Sequence, residues 1–254
     1  MLLTADIGNT NITLGVFDKE DLIASFRLST DPKRQPDEYA ALIHTLLSLK
    51  NISSSSIDNA IICSVVPPLI NIFQNVCSTA FNVEALVVGS GIKTGVKILY
   101  DSPRDVGADR IVDAAAAYQL YGAPIIIVDL GTATVLDAVD RNGDYLGGAL
   151  FPGLQVSAEA LFLGTSQLRR VELSAPKDAI GKNTVSALQS GLVFGHVSMI
   201  EGMVERFKNE LGEGTKVVAT GGLAGLIAKE TNIFNYVNPD LTIIGLKMIH
   251  ELNQ

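Results

Sequence analysis

Apolar residues fall in short blocks at strand spacing near the start of the chain, and the same rhythm returns near its middle. Residues 2–7, 11–17 and 22–29 have strand composition, the last two joined by the polar turn Asp18-Lys19-Glu20-Asp21. Pro36-Asp37-Glu38 opens a helix, with proline and acids in the first turn where they suit its exposed N–H groups. Tyr39, Leu42, Ile43, Leu46 and Leu47 line one face of it. After the polar loop Asn51 to Ser56, Ala60 to Val66 reads as a buried strand, stopped by Pro67-Pro68 at the head of a helix carrying Ile70, Phe73, Val76 and Cys77. Residues 85–88 give another short strand, and a helix from Asp109 to Tyr121 is expected to bridge the two halves. The second half then repeats the order. Strands are expected near 125–129, 134–140 and 144–150, then helices, a strand at 216–220, a helix at 223–230 and a final helix from about 241.

Within this frame one short phrase occurs twice. Leu2-Leu3-Thr4-Ala5-Asp6-Ile7-Gly8-Asn9-Thr10 is echoed by Ile126-Ile127-Val128-Asp129-Leu130-Gly131-Thr132-Ala133-Thr134, and the two aspartates lie 123 residues apart. Each copy runs an apolar strand into Asp-x-Gly and out into a second apolar stretch, Ile12 to Phe17 or Val135 to Val139. Such a sequence makes a tight hairpin whose glycine lets backbone N–H groups approach an anion, while its aspartate can hold a cation. A lone Asp-x-Gly is an ordinary turn. Two copies in the same setting point to a clamp on a nucleotide triphosphate and its metal. Three strands, helix, strand, helix, strand, used twice, is the ribonuclease-H-like unit duplicated. The expected fold is therefore α/β, with ribonuclease-H-like domains at 1–115 and 116–254 and a nucleotide cleft between them. Neither G-x-x-x-x-G-K-(S/T) nor G-x-G-x-x-G occurs, so the P-loop and Rossmann routes to a nucleotide are unsupported.

One stretch breaks the short rhythm. Val185, Leu188, Leu192, His196, Met199, Met203, Phe207 and Leu211 recur every three or four residues, with Asn183 as N-cap and Gly212 as the stop. The helix so predicted is roughly 40 Å long. It reads as a central core helix, or as one packed against its twin in a homodimer through Gly191 and Gly195.

Composition narrows the function classes. A net charge of −8 without any basic run argues against nucleic-acid binding. No apolar run approaches the roughly 20 residues of a membrane span. Met1-Leu2-Leu3 leads straight into a strand containing Asp6, so no signal peptide is expected and the cytoplasm is the expected compartment. Cys63 and Cys77, without C-x-x-C spacing, read as buried free thiols, and His44, His196 and His250 show no ligand spacing.

Four further segments bear on chemistry: Gly107-Ala108-Asp109-Arg110 at the mouth of a helix, the glycine-dense Gly147 to Gly153, Gly181-Lys182-Asn183-Thr184 at the head of the long helix, and Thr220-Gly221-Gly222 between strand and helix. Each also has a plain structural reading. Asp109 suits a helix dipole, Gly147-Gly148 suits a β-bulge, and Thr220-Gly221-Gly222 suits a normal turn.

Taken together and in this order, these residues resemble the type III pantothenate kinases, members of the acetate and sugar kinase/Hsp70/actin superfamily. The resemblance spans essentially the whole chain, and its specific part is Gly107-Ala108-Asp109-Arg110 between two Asp-x-Gly hairpins, with Ser64-Val65-Val66-Pro67 and Pro152-Gly153 in support. Val135-Leu136 departs from it, since family members often carry Thr-Phe there. The resemblance implies ATP-dependent phosphorylation of pantothenate, the first step towards coenzyme A. It implies that Asp109 accepts the proton of the pantothenate hydroxyl, with an ordinary carboxylate pKa near 4, and that Tyr100, Gly107, Ala108, Asp109, Arg110 and Thr184 line the pantothenate site. It places Asp6, Ile7, Gly8, Asn9, Thr10, Asn11, Ile12 and Thr13, with Thr132, at the ATP phosphates. It gives Asp129 a monovalent cation (potassium or ammonium) and Asp6 the magnesium ion that accompanies ATP, and it implies a homodimer. A sugar or acetate kinase of the same superfamily would share the hairpins and lack the Gly107 to Arg110 element. A non-catalytic accessory factor for gene regulation is the other alternative.

Overall fold

The computed structural model describes residues Met1–Gln254. They form two compact units: Met1–Gly95 with Ser102–Ala116 and Thr242–Gln254, and Val96–Asp101 with Ala117–Leu241. In chain order the elements are β1 (Leu2–Ile7), β2 (Asn11–Asp18), β3 (Asp21–Ser29), α1 (Pro36–Leu49), β4 (Asn59–Ser64), α2 (Pro67–Ala80), β5 (Ala85–Val87), β6 (Lys97–Ile98) and α3 (Ala108–Tyr121). There follow β7 (Ile125–Leu130), β8 (Ala133–Val139), β9 (Asp144–Pro152), α4 (Leu154–Leu163), α5 (Thr184–Leu211), β10 (Lys216–Thr220), α6 (Ala224–Ile227), β11 (Tyr236–Val237) and α7 (Leu241–Leu252).

The first unit holds a sheet in the order β3-β2-β1-β4-β5. β1, β2 and β3 run antiparallel in sequence, and β4 and β5 add in parallel. The residues of β1 are mostly buried, as befits a central strand covered on both faces, whereas β3 at the edge alternates towards solvent. Tyr39, Ile43 and Leu47 of α1 and Leu69, Phe73, Val76 and Cys77 of α2 complete this core. Full burial of one such side chain contributes about 1.5–3 kcal/mol.

The second unit repeats the plan. Its sheet runs β11-β10-β7-β8-β9-β6, so β9-β8-β7-β10-β11 reproduces the first sheet's order, with β6 added at the β9 edge. β7, β8 and β9 are antiparallel and β10 and β11 parallel, as in the first unit. The duplicated α/β topology expected from the element order is the observed one.

The last helix differs from the expected division at 115/116. Residues from Thr242 onward group with the first unit because α7 lies on its sheet and helix: a Cβ on Gly15 would sit 2.3 Å from Ile243, and one on Gly245 would sit 2.6 Å from the carbonyl of Val112. Lys247, buried on α7, pairs with Glu20 and Glu251, each at 2.6 Å.

α5 is the long helix the spacing predicts, with Asn183 as its N-cap, accepting the Ser186 N–H at 3.0 Å, and Gly212 at its end. Its buried face is rotated from the predicted stripe. Val193, Val197, Ile200 and Val204 go inside with Leu192, His196 and Leu211, while Val185 is exposed. No helix is long and apolar enough to cross a membrane.

Candidate active site

In the first unit, Ile7 pairs with Ile12 and closes a turn whose Gly8 N–H donates to the Asn11 carbonyl at 3.0 Å. Thr30 braces it, donating its hydroxyl to the Gly8 carbonyl at 2.7 Å and its N–H to the Thr10 carbonyl at 3.0 Å. Asn9, Thr10 and Asn11 stand exposed at the tip, which suits them for an incoming anion. The side chains of Ile7 and Ile12 are fully buried in the core, so only their backbone is available to a ligand. Asp6 lies beside Thr13 on one neighbouring strand and Cys63 on the other.

The Gly107-to-Arg110 element begins α3. Asp109 is half-buried, and its carboxylate turns back to accept the Arg110 N–H at 2.8 Å. Gly107 makes this possible, for a Cβ there would meet Asp109 Oδ1 at 2.5 Å. Burial raises the Asp109 pKa, and the hydrogen bond and charge of Arg110 offset this only in part. The ordinary carboxylate pKa expected from sequence is thus displaced upward by desolvation.

Cys63 locates these groups relative to one another. Burial pushes its thiol well above the usual range, and the charges of Asp6, Asp109 and Asp113 push it further. The first unit therefore brings Asp6 and Asp109 to one locality and adds Asp113, which is 4% exposed and one helical turn beyond Asp109. Sequence reading missed Asp113. Its signal was the four-residue spacing from Asp109, which puts both carboxylates on one face of a helix.

In the second unit Asp129 is the penultimate residue of β7, half-buried, beside Val135 of β8 and Thr220 of β10. Two glycine turns lie beside its carboxylate, Gly221 closely and Gly131 at ordinary contact distance. A Cβ on Gly221, whose φ is +90°, would lie 2.3 Å from Asp129 Oδ1, and one on Gly131 would lie 3.6 Å from both oxygens. Gly153 packs equally close under the hairpin, donating its N–H to the Thr132 carbonyl at 3.0 Å, while Thr132 itself is exposed. Behind the hairpin, Thr134 Oγ1 and His196 Nε2 lie 2.7 Å apart, both residues buried, so β8 is tied to α5. Burial lowers the His196 pKa, which favours the neutral ring this contact uses.

Tyr100 follows β6 and rests against the Gly147 backbone, where a Cβ would come within 2.9 Å of its ring. β9 carries a register irregularity at this point, so the bulge reading of Gly147-Gly148 holds. Thr184 is exposed on the first turn of α5, and no hydrogen bond links it to the other candidate residues. Both cysteines are free and buried, as expected.

No group of three or more His, Cys, Asp or Glu side chains is placed to hold a metal ion. A single carboxylate beside a glycine turn is a different kind of site. Magnesium is characteristically held by one or two carboxylates together with phosphate oxygens and water, and Asp6 beside the Gly8 turn meets that description. Asp129 offers carboxylate oxygens on which a cation could rest, and Gly221 leaves them uncovered by a side chain.

The sequence signature described as type III pantothenate kinase matches residues 2–206. A type III pantothenate kinase of Dehalococcoides mccartyi (strain CBDB1) is 49% identical over 253 residues, covering 100% of this chain and 96% of that protein. Among solved structures, a Campylobacter jejuni protein provisionally described as a Baf family transcriptional activator superposes with a TM-score of 0.65 at 20% identity, covering 99% of this chain and 98% of that one. Component A of the (R)-2-hydroxyglutaryl-CoA dehydratase of Acidaminococcus fermentans does so with a TM-score of 0.55 at 12% identity, over 100% and 99%. These two likenesses establish the fold alone. The family follows from the full-length identity and the matched signature: the chain belongs to the type III pantothenate kinases.

Proposed function

We infer that this chain phosphorylates pantothenate to 4′-phosphopantothenate with ATP as donor, the first step of coenzyme A biosynthesis. Family membership carries the reaction. The observation that carries the assignment of its base is the Asp109 carboxylate, held over the first turn of α3 and raised in pKa by burial.

Phosphoryl transfer asks little covalent chemistry of the protein. Its transition state is loose, and catalysis is mainly positioning and charge stabilisation. Asp109 accepts the proton of the pantothenate primary hydroxyl as the new P–O bond forms. Its raised pKa makes the ionised carboxylate a better acceptor than a solvated one. Arg110 offers a guanidinium fork to the substrate carboxylate or to a phosphate oxygen. Gly107 and Ala108 present backbone beside them, and Tyr100 and Thr184 supply further pantothenate contacts. Asp6 to Thr13 receives ATP phosphate oxygens on its backbone N–H groups and on the exposed side chains of Asn9, Thr10 and Asn11. Thr132, exposed at the second hairpin, offers its hydroxyl to a phosphate oxygen. Asp6 would hold magnesium and Asp129 potassium or ammonium, and when bound these ions would offset charge developing on the phosphate oxygens.

The protein acts as a homodimer in the cytoplasm. The dimer is supported by Gly191, Gly195 and Gly202 on α5, all exposed, at each of which a Cβ would meet nothing within 4 Å. Glycine inside a helix costs about 1 kcal/mol relative to alanine, and packing within the chain gives no reason for three of them. The close approach of a second helix does.

The test is product identity. Incubation with ATP, magnesium, potassium and pantothenate should give 4′-phosphopantothenate by mass spectrometry, in proportion to ADP released. ADP release without that product would reject the substrate.

A further inference from the structure

We propose that Asp137, acting through Tyr145, is a positioning residue for the ring of Tyr100, and so sets the affinity for pantothenate without touching it. This rests on the assignment of Tyr100 to the pantothenate site made above.

Leu136 and Ala138 of β8 lie in the core of the second unit, so Asp137 between them faces the other side of the sheet. It is nonetheless only 3% exposed. There its Oδ1 accepts the hydroxyl of Tyr145, which is fully buried, at 2.7 Å. A carboxylate taken out of water is expensive to keep, and an apolar pair of similar volume would fill the same space at less cost. What the polar pair adds is a fixed position for the tyrosine.

That position is passed to Tyr100 along two routes. The first is the backbone. Ile98 pairs with Tyr145 across β6 and β9, and the Leu99 N–H donates to the Tyr145 carbonyl at 2.8 Å. The second is ring against ring, the Tyr100 and Tyr145 centroids standing 6.4 Å apart at 45°.

The local backbone is shaped to the same end. Ala138 pairs with Gly147 and Val139 with Tyr145, which leaves Leu146 as the extra residue of a β-bulge. Bulges of this kind re-aim side chains beside functional sites. Gly147 has φ +120°, which a side chain rarely tolerates, and the Tyr100 ring lies on its bare backbone. Gly148 must stay bare because a Cβ there would meet the Leu136 carbonyl oxygen first, and Asp137 Oδ1 at 2.6 Å as well. The bulge, Gly147 and the buried pair thus serve one aromatic ring.

The test is steady-state kinetics on the full chain, with folding followed by thermal melting. Tyr145→Phe, the mildest change, should raise the pantothenate KM about tenfold and leave the ATP KM within about twofold. Asp137→Ala should do the same, while Asp137→Asn, which keeps an acceptor oxygen, should restore most of the affinity. In a Tyr100→Ala background, Tyr145→Phe should add nothing, because its effect runs through the missing ring. The proposal is overturned if Tyr145→Phe shifts both KM values alike, or if it still raises the pantothenate KM once Tyr100 is alanine. A pantothenate KM unchanged by Tyr100→Ala overturns the assignment of Tyr100 itself. A KM raised by Tyr100→Ala but unmoved by Tyr145→Phe keeps that assignment and overturns this one. Should Asp137→Ala fail to fold, Tyr145→Phe carries the test.

Discussion

The Asp109 carboxylate accepts the backbone N–H of Arg110 at 2.8 Å, so the proposed base is oriented by the first turn of the helix it begins. One oxygen is engaged by the backbone, and Gly107 has no side chain to displace it. Desolvation then raises its proton affinity against the pull of the neighbouring guanidinium.

Asp109→Asn keeps the shape and the acceptor oxygen and removes the proton acceptor. Turnover should fall by about 10²–10⁴, with ATP affinity largely kept. Steady-state rates with ATP binding by calorimetry check it, and turnover within about threefold of wild type would remove Asp109 from the mechanism.

The same carboxylate predicts an opposite sign for stability. A carboxyl whose pKa rises on folding binds its proton more tightly in the native state. Its contribution is present below the unfolded pKa of about 4 and is lost as pH rises through the native value. At neutral pH Asp109→Asn should therefore melt higher than wild type, and the difference should shrink in acid. For activity, which needs the ionised form, the acid limb of kcat/KM should lie above the ordinary carboxylate range. A variant that melts lower at pH 7 would contradict the direction of the shift.

Gly221 should prove as important as the aspartate it faces. Alanine there meets both a φ of +90° and Asp129 Oδ1 at 2.3 Å, so Gly221→Ala should cost about 1–3 kcal/mol and displace the carboxylate. If Asp129 holds a monovalent ion, initial rates at constant ionic strength should be higher in potassium than in sodium. Asp129→Asn and Gly221→Ala should both blunt that difference. Equal rates of the native protein in the two salts would return Asp129 to the role of a turn residue.

The homodimer gives a prediction of its own. Gly195→Leu introduces a side chain where the chain itself offers open space, so the monomer should fold and the dimer should weaken. Light scattering across a dilution series reads this directly. A dimer unaffected by Gly195→Leu would move the contact away from α5.

Much of this arrangement is written in local sequence. Both hairpins, the order of the strands and the caps of α5 follow from apolar blocks punctuated by Asp-x-Gly, proline and asparagine. What local sequence does not carry is contact between distant elements. The membership of α7 in the first unit depends on Gly15 and Gly245 admitting it, which no periodicity records. The buried face of α5 departs from the spacing because the large Met199, Met203 and Phe207 dominate the apolar pattern, whereas the smaller Val193, Val197 and Val204 fill the core. α6 is shorter than the expected 223–230 because its end tightens into turns, with Glu230 donating to Ile227 three residues back. Asp137 reads as an ordinary polar position that only burial reveals, whereas Asp113 could have been found from its spacing to Asp109.

The substrate proposed for this kinase is pantothenate. A coupled assay of ADP release, run with ATP, magnesium and potassium against pantothenate, acetate and a set of hexoses in parallel, tests it most directly. Turnover is expected with pantothenate and background rates with the others, and Asp109→Asn should abolish the turnover with pantothenate. Turnover with acetate or a hexose at a rate matching or exceeding that with pantothenate would contradict it.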